Sequence, residues 1–265
     1  MTASVTALVI LRVSSVAVLV GCASTSETIT STGSLSVAAT TNTSASTEPQ
    51  SPTTPEPAAT PVVSVTVVNG DLDALEVLRM IPVTLEHRGG YDRDLFAVWS
   101  GLDRDGCNTR EVVLSSESRT PAQIDGGCTV IAGDWYSTYD DLAITDPADI
   151  DIDHLVALKE AWDSGAWEWT VDQRIAYGND TTDSRTLAAV SASSNRAKGD
   201  ADPSNWLPTA NTVCSYIGDW IAVKARWQLT MDQSEWGRLR NLLQGPCTGT
   251  NIAEWSPPPQ PAVGP

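Results

Sequence analysis

Basic side chains are scarce in this chain. Its 265 residues carry 33 Asp and Glu against 16 Lys and Arg, a net charge of −17, and Lys159, Lys198 and Lys224 are its only lysines. A surface that grips a nucleic-acid backbone draws most of its affinity from neutralising phosphates. The balance therefore argues against a broad polyanion-binding face and leaves room only for a local site. It also fits a halotolerant or secreted protein kept soluble by its charge. Histidine is scarcer still, with His87 and His154 alone, so few side chains can serve as a neutral proton acceptor near pH 7. No CxxC spacing is present, which disfavours a structural zinc site. No internal repeat is visible. The acidic run Asp103-Arg104-Asp105-Gly106-Cys107-Asn108-Thr109-Arg110 lacks the terminal Glu of an EF-hand loop and reads as a solvated turn.

The ends of the chain are of a different kind from its middle. The apolar stretch Val13–Val20 is too short to span a bilayer and ends in Leu19-Val20-Gly21-Cys22, the pattern of a bacterial lipobox. Residues 1–21 are expected to be a lipoprotein signal peptide and Cys22 the lipidated residue. A plain secretory signal with a coincidental cysteine is the competing reading, since Arg12 is the only basic residue before the stretch. Residues 22–66, rich in Ser, Thr, Ala and Pro, cannot bury enough apolar surface to offset their ordering entropy and read as a disordered tether. Residues 251–265 read as a disordered tail. The expected product is exported and held at the outer face of the cell membrane through Cys22, or shed from it. The remaining cysteines, Cys107, Cys128, Cys214 and Cys247, are even in number in a chain expected to be exported. They allow three pairings. The most local one, Cys107–Cys128 with Cys214–Cys247, closes one loop in each half of the domain and is the pairing expected.

Between these ends, residues 67–250 alternate helical and strand patterns. Apolar spacing predicts helices over Leu72–Met80, Tyr91–Trp99, Leu158–Trp167, Thr209–Leu229 and Met231–Leu243, with Arg174–Tyr177 also helical. Cys128–Ile131 and Gly133–Tyr136 read as the two arms of a hairpin, Ile150–Val156 and Leu187–Val190 as strands, and Ser193–Lys198 as the start of a helix. The fold class expected is α+β.

The chemistry concentrates at Asp153-His154. Carboxylate oxygen suits hard divalent cations and neutral imidazole is a common proton acceptor, so the pair can hold an ion and activate water at one place. Downstream, Thr186-Leu187-Ala188-Ala189-Val190-Ser191-Ala192-Ser193-Ser194-Asn195-Arg196-Ala197-Lys198-Gly199-Asp200 resembles the second half of an HNH nuclease signature. Leu187 falls on its Leu, Asn195 on its second metal-ligand position and Lys198 on its Lys, without gaps. With Gly90-Tyr91-Asp92-Arg93-Asp94-Leu95-Phe96 and Trp206-Leu207-Pro208, the frame is similar to exported actinobacterial HNH proteins carrying a GmrSD-type restriction endonuclease C-terminal domain, over roughly residues 88–247.

The resemblance implies a ββα-metal core with a small β-hairpin region and several packed helices. It implies one divalent cation, Mg2+ or Mn2+, held by Asp153 and Asn195, with His154 as general base. Lys198 and Arg196 would meet the phosphate. Nucleic acid is the implied substrate, DNA before RNA. Thr186 stands where many such proteins have an Asn that orients the base; its hydroxyl is the group available for that role. The alternative is a catalytically silent cell-surface binding module on the same fold. Arg93 and Arg110 are expected to pair with carboxylates, His87 to lie in a surface loop, and Trp206 to pack beneath the site.

Overall fold

The computed structural model describes residues 67–68, 71–101 and 106–259, and the described residues all fall within one compact unit, Ala59–Pro265. The lipobox with Cys22, the tether, and the first three residues of the acidic run, Asp103–Asp105, lie outside the described residues. No helix among the described residues is long and apolar enough to cross a membrane.

The chain opens with strands β1 (Val67–Val68) and β2 (Asp71–Asp73), then helix α1 (Ala74–Met80). Asp73 stops the strand and caps the helix, its carboxylate accepting the Glu76 amide at 2.9 Å. A 3-10 turn at Arg93–Phe96 stands where a longer helix over Tyr91–Trp99 is predicted. Helix α2 (Thr109–Glu117) begins inside the acidic run, capped by Asn108, which accepts the Glu111 amide at 3.1 Å. Two small hairpins follow. β3 (Gln123–Ile124) pairs with β4 (Val130–Ala132), and β5 (Trp135–Ser137) pairs with β6 (Leu142–Ile144). The single hairpin expected over Cys128–Tyr136 is thus two, because each run finds its partner on its outer side.

Strand β7 (Ile150–His154) pairs antiparallel with β8 (Leu187–Ser191), Asp153 opposite Ala188 and His154 opposite Leu187. Between them run α3 (Leu158–Asp163), a 3-10 turn at Ala166–Glu168, and α4 (Val171–Gly178), opened by a Thr170–Gln173 capping box. β8 passes straight into α5 (Ala192–Lys198), with Ser191 as its cap. Helices α6 (Val213–Arg226) and α7 (Gln233–Leu243) are joined by Trp227–Asp232. The chain closes in β9 (Asn251–Ala253), which pairs with β2. The expectation of a disordered tail from residue 251 therefore fails at its start: Ile252 is buried against Leu72 opposite it, and Ser256 offers its carbonyl to Arg226 at 2.8 Å.

Both expected disulfides are present. Cys107–Cys128 ties the start of α2 to β4, and Cys214–Cys247 ties α6 to the segment after α7. The main core gathers Leu78, Phe96, Tyr177, Ile217, Trp220 and Leu239 between α1, α4, α6 and α7. A smaller one, built from Val113, Leu114, Trp135, Ile150, Ile152 and Leu187, fills the space between α2 and the β7–β8 pair. Ile150 and Ile152 point into that smaller core. By strand alternation His154 points the same way, while Asp151 and Asp153 point to the opposite face, under α5.

Candidate functional site

Adjacent residues on a strand face opposite ways, so Asp153 and His154 do not converge through the sheet. They meet at its end. β7 stops at His154, and a cavity of about 220 Å³ opens there, lined by Asp153, His154, Asn195, Arg196, Arg93 and Asp200, among others. Four residues singled out from the sequence share this cavity. Two of the chain's few arginines stand at it, both exposed.

His154 is 4 % exposed. Its Nε2 lies 3.1 Å from the Gly178 carbonyl at the end of α4. A carbonyl can only accept, so Nε2 carries the proton and Nδ1 keeps the lone pair. Burial holds the imidazole pKa down to about 3, against the pull of the Gly178 bond, and neighbouring Arg93 and Lys198 add to the depression. The ring is therefore neutral at physiological pH. Trp99, at φ 63, and Tyr177 each set a ring 5.8 Å from it. A bulky residue at positive φ is uncommon, and this one covers the proposed base. Gly178 has its own requirement: a Cβ there would stand 2.5 Å from the Phe96 carbonyl oxygen. Only glycine lets α4 approach the Arg93–Phe96 turn closely enough to bring its carbonyl to His154.

Asp153 is buried beneath α5. Its Oδ2 accepts from the Tyr139 hydroxyl at 2.6 Å and pairs with Lys198 Nζ at 2.7 Å. Lys198 also donates to the His154 carbonyl at 3.1 Å. Burial raises the Asp153 pKa, and the Lys198 charge and the Tyr139 bond oppose it. Asn195 donates to Asp151 Oδ2 at 3.1 Å, which leaves its amide oxygen as its remaining ligand atom. The helix start that delivers Asn195 is held by Ser191, whose Oγ accepts the Ser194 amide at 3.1 Å and donates to Asp140 at 2.5 Å.

Other expected roles change. The Lys198 side chain is fully buried and does not line the cavity, so it does not reach a phosphate there; its ammonium contacts Asp153 and the His154 carbonyl instead. The Thr186 hydroxyl donates to Asp180 at 2.9 Å, beside the Arg226–Asp180 ion pair, and makes no contact with the His154 ring. Gly178 supplies the orienting bond in its place. Arg110 pairs with no carboxylate among the described residues; it donates to the carbonyls of Pro147 and Ile150 at 2.9 and 3.1 Å and so fixes the entry into β7. Arg93 makes no ion pair with Asp92 or Asp94; it hydrogen-bonds the Tyr91 hydroxyl and stands at the cavity. His87 lies exposed, its ring stacked on Trp167 at 4.4 Å. Trp206 packs on Tyr139 at 5.0 Å, supporting the hydroxyl that holds Asp153. Tyr139 and Gly178 carried no signal in the sequence, because each comes from a distant segment and reaches the site only through the fold.

The donor set suits a hard cation. Asp153 has one carboxylate oxygen that takes no hydrogen bond from the described residues, and Asn195 brings an amide oxygen to the same cavity. One or two carboxylates with retained waters is the usual environment of magnesium.

Residues 112–241 match the family model described as GmrSD restriction endonucleases, C-terminal domain. A protein of Arthroderma benhamiae described as an uncharacterized secreted protein is 41% identical over 155 residues, which is 58% of this chain and 74% of that protein. No solved structure matches the chain. The matched segment runs from α2 into α7 and includes every cavity residue named above except Arg93; the chain belongs with this secreted relative, and its residues 112–241 are similar to the GmrSD C-terminal domain.

Proposed function

We propose that this protein is an exported, metal-dependent endonuclease that hydrolyses phosphodiester bonds of nucleic acid at the His154 cavity. The observation that carries the reading is the meeting of a neutral, hydrogen-bonded imidazole, a partly free carboxylate, an amide oxygen and two arginines in one small cavity. The family supports nuclease chemistry, and the relative's description as secreted supports export. The HNH assignment rests on the order of Asp153-His154, Asn195 and Lys198 along the chain.

In this reading His154 accepts the proton of the attacking water at Nδ1, with Gly178 fixing the tautomer. Arg93 and Arg196 hold the phosphate and offset its charge. Asp153 and Asn195 would hold one magnesium or manganese ion, which when bound stabilises charge on the phosphate and on the departing 3′-oxygen. Lys198 and Tyr139 position Asp153 by occupying its Oδ2. Attachment through a lipid on Cys22 belongs to the same proposal, as does DNA in preference to RNA.

The test is plasmid degradation by the purified protein with magnesium, manganese or chelator. His154→Ala is expected to lower cleavage by roughly two to four orders of magnitude, the usual worth of a positioned base, while metal binding persists. Asn195→Ala is expected to weaken the metal instead, so that added manganese partly restores its rate. Absence of cleavage with every divalent ion, or a His154→Ala rate equal to wild type, would overturn the reading. A catalytically silent binding module is the second reading, and one observation favours it: Lys198 neutralises Asp153 from within, where a cation would otherwise do so.

A further inference from the structure

The His154 cavity is the middle one of three laid out along α5. Ser191, Ala192 and Ser193, at the start of the helix, line a cavity of about 440 Å³ together with β6 and the turn after it. Asn195, Arg196, Gly199 and Asp200 line the His154 cavity. Asp200, Ala201 and Asp202 lead into a third, of about 610 Å³, which the loop after α1 and the cap of α7 also line. Neighbouring cavities share a residue, Arg196 on one side of the centre and Asp200 on the other. A helix rises about 1.5 Å per residue, so Ser191 to Asp200 spans roughly 13 Å. The three cavities form one short furrow with the proposed chemistry at its middle.

Charge changes sign along this furrow. The centre holds Arg93 and Arg196, both exposed and neither in an ion pair among the described residues. Asp153 beside them is already paired with Lys198. Toward the helix start the wall carries Asp146 and Asp149, exposed and without an ion pair among the described residues. In the largest cavity both cations are committed to carboxylates, Arg88 to Glu86 and Lys159 to Asp163. Glu86, Asp202 and Asp232 there bring one oxygen each within 4.8 Å of the others. Burial and the charge of Glu160, with smaller contributions from Asp232 and Asp163, push the Glu86 pKa up against the pull of Arg88.

A phosphate is therefore attracted at the middle of the furrow and repelled at both ends. Duplex DNA carries one charge per about 1.7 Å of axis, both strands counted, and its geometry fixes where each stands. Laid along the furrow, a duplex would bring roughly seven or eight phosphates against two free arginines and two acidic walls. Like-charge contact of this kind is how a binding face rejects a wrong partner. A single strand has half the charge density and a flexible backbone. It can seat one phosphate at Arg93 and Arg196 and turn its neighbours to solvent. Its unpaired bases then meet walls rich in acceptors, which suit the exocyclic amino groups of adenine and cytosine.

We propose, building on the reading of the His154 cavity as a phosphodiester site, that the furrow selects single-stranded nucleic acid and disfavours duplex. Asp146 and Asp149 at one end, and Glu86 and Asp232 at the other, enforce the choice.

The test uses one oligonucleotide sequence, single-stranded or annealed to its complement. His154→Ala protein in chelator reports binding by fluorescence anisotropy, and wild type with magnesium or manganese reports cleavage. The single strand is expected to bind and to be cut at least about tenfold better than the duplex. A negatively supercoiled plasmid, whose strands open more readily, should fall between the two. With one or two phosphates engaged, log K for the single strand should fall with log salt at a slope of about −0.7 to −1.4. Asp146→Asn with Asp149→Asn, and separately Glu86→Gln with Asp232→Asn, preserve shape and the caps at Asp146 and Asp232. Each pair is expected to raise duplex binding and cleavage at least about threefold, and to change the single strand by less than about twofold. Equal handling of the two forms, a single-strand salt slope steeper than about −3, or an unchanged strand ratio in both paired variants would overturn the proposal while leaving hydrolysis at His154 standing. Preferential binding of the single strand with no cleavage of either form would instead sink the hydrolysis and keep the strand selection. Neither binding nor cleavage of either form would sink both.

Discussion

Two of the three lysines are buried, and their surroundings differ in one respect that separates structure from chemistry. Lys224, on α6, sits among four acceptors: Glu160 at 2.6 Å, Ser164 at 2.7 Å, the Thr230 carbonyl at 2.9 Å and Glu235 at 3.1 Å. Ser164 and Trp220 donate in turn to Glu160 and Glu235, at 2.7 and 2.5 Å. The charge is answered by groups from α3, from α7 and from the segments that follow α3 and α6. Lys198 is buried as deeply, yet its partner Asp153 opens on a cavity with His154, Asn195, Arg93 and Arg196. Burial of a charged group is therefore no mark of function by itself. The mark is a satisfied charge on one side of a carboxylate and an unfilled, chemically mixed space on the other.

The largest expected effect on stability comes from breaking the closed cluster. Lys224→Met would leave Glu160 and Glu235 facing each other without a cation. Removing one partner of a buried pair typically costs about 3–5 kcal/mol, so urea unfolding should show an unfolding free energy lowered by that amount, with activity per folded molecule unchanged. A variant as stable as wild type would mean that the two lysines do not differ as described. Lys198→Met should separate from it by readout, because the loss at Asp153 should appear in the metal dependence of cleavage as well as in the midpoint.

Gly178 offers a smaller and more local test. Gly178→Ala places a methyl group 2.5 Å from the Phe96 carbonyl oxygen, and overpacking of this kind costs about 1–3 kcal/mol. Since the Gly178 carbonyl orients His154, cleavage should fall by more than the unfolded fraction explains, at temperatures where the variant remains folded. A variant with wild-type cleavage would remove Gly178 as the orienting group and return the question to Thr186.

The parts of this molecule that could be read from sequence are those governed by local pattern. β7, β8 and α5 were marked by apolar alternation broken by Asp153-His154 and Asn195, and they lie within a residue or two of where that pattern puts them. The disulfide pairing followed from the shortest loops. Helix α2 was hidden because Asp103–Arg110 is rich in turn formers, and Asn108, one of them, proves to be the helix cap. The hairpin arms at Val130–Ala132 and Trp135–Ser137 carry strand pattern but no information on which neighbour each one chooses. The roles of Lys198 and Thr186 could not be read for the same reason. A signature position states which residue is near a site; it does not state whether that residue faces the cavity or lies behind it. Tyr139 and Gly178 come from separate segments and have no spacing to be read.

Glu117 lies between the open and the closed arrangements and gives the smallest and cleanest prediction. It ends α2 behind the site hairpin and accepts one bond, from the Ala189 amide of β8 at 2.9 Å. Burial pushes its pKa up to about 7, and the single amide bond only partly offsets this. The folded protein thus holds a proton on Glu117 that the unfolded chain, with a carboxylate near the ordinary value of 4.5, releases earlier. Its contribution is fully present below about pH 4.5, declines as pH rises toward 7, and is constant above that. For a half-buried group, with solvent screening, the decline is about 1–2 kcal/mol. Glu117→Gln keeps an oxygen for the Ala189 amide and cannot ionise. Relative to wild type it should therefore be nearly neutral at pH 4.5 and more stable by that amount at pH 8, as measured by urea unfolding at both values. Taking the difference between the two proteins removes the contribution of His154, whose depressed pKa makes stability rise over an overlapping range, from about pH 3 to 6.5. Parallel pH profiles for the two proteins would show that Glu117 is ionised in the folded state, with β8 held by a carboxylate that has found solvent.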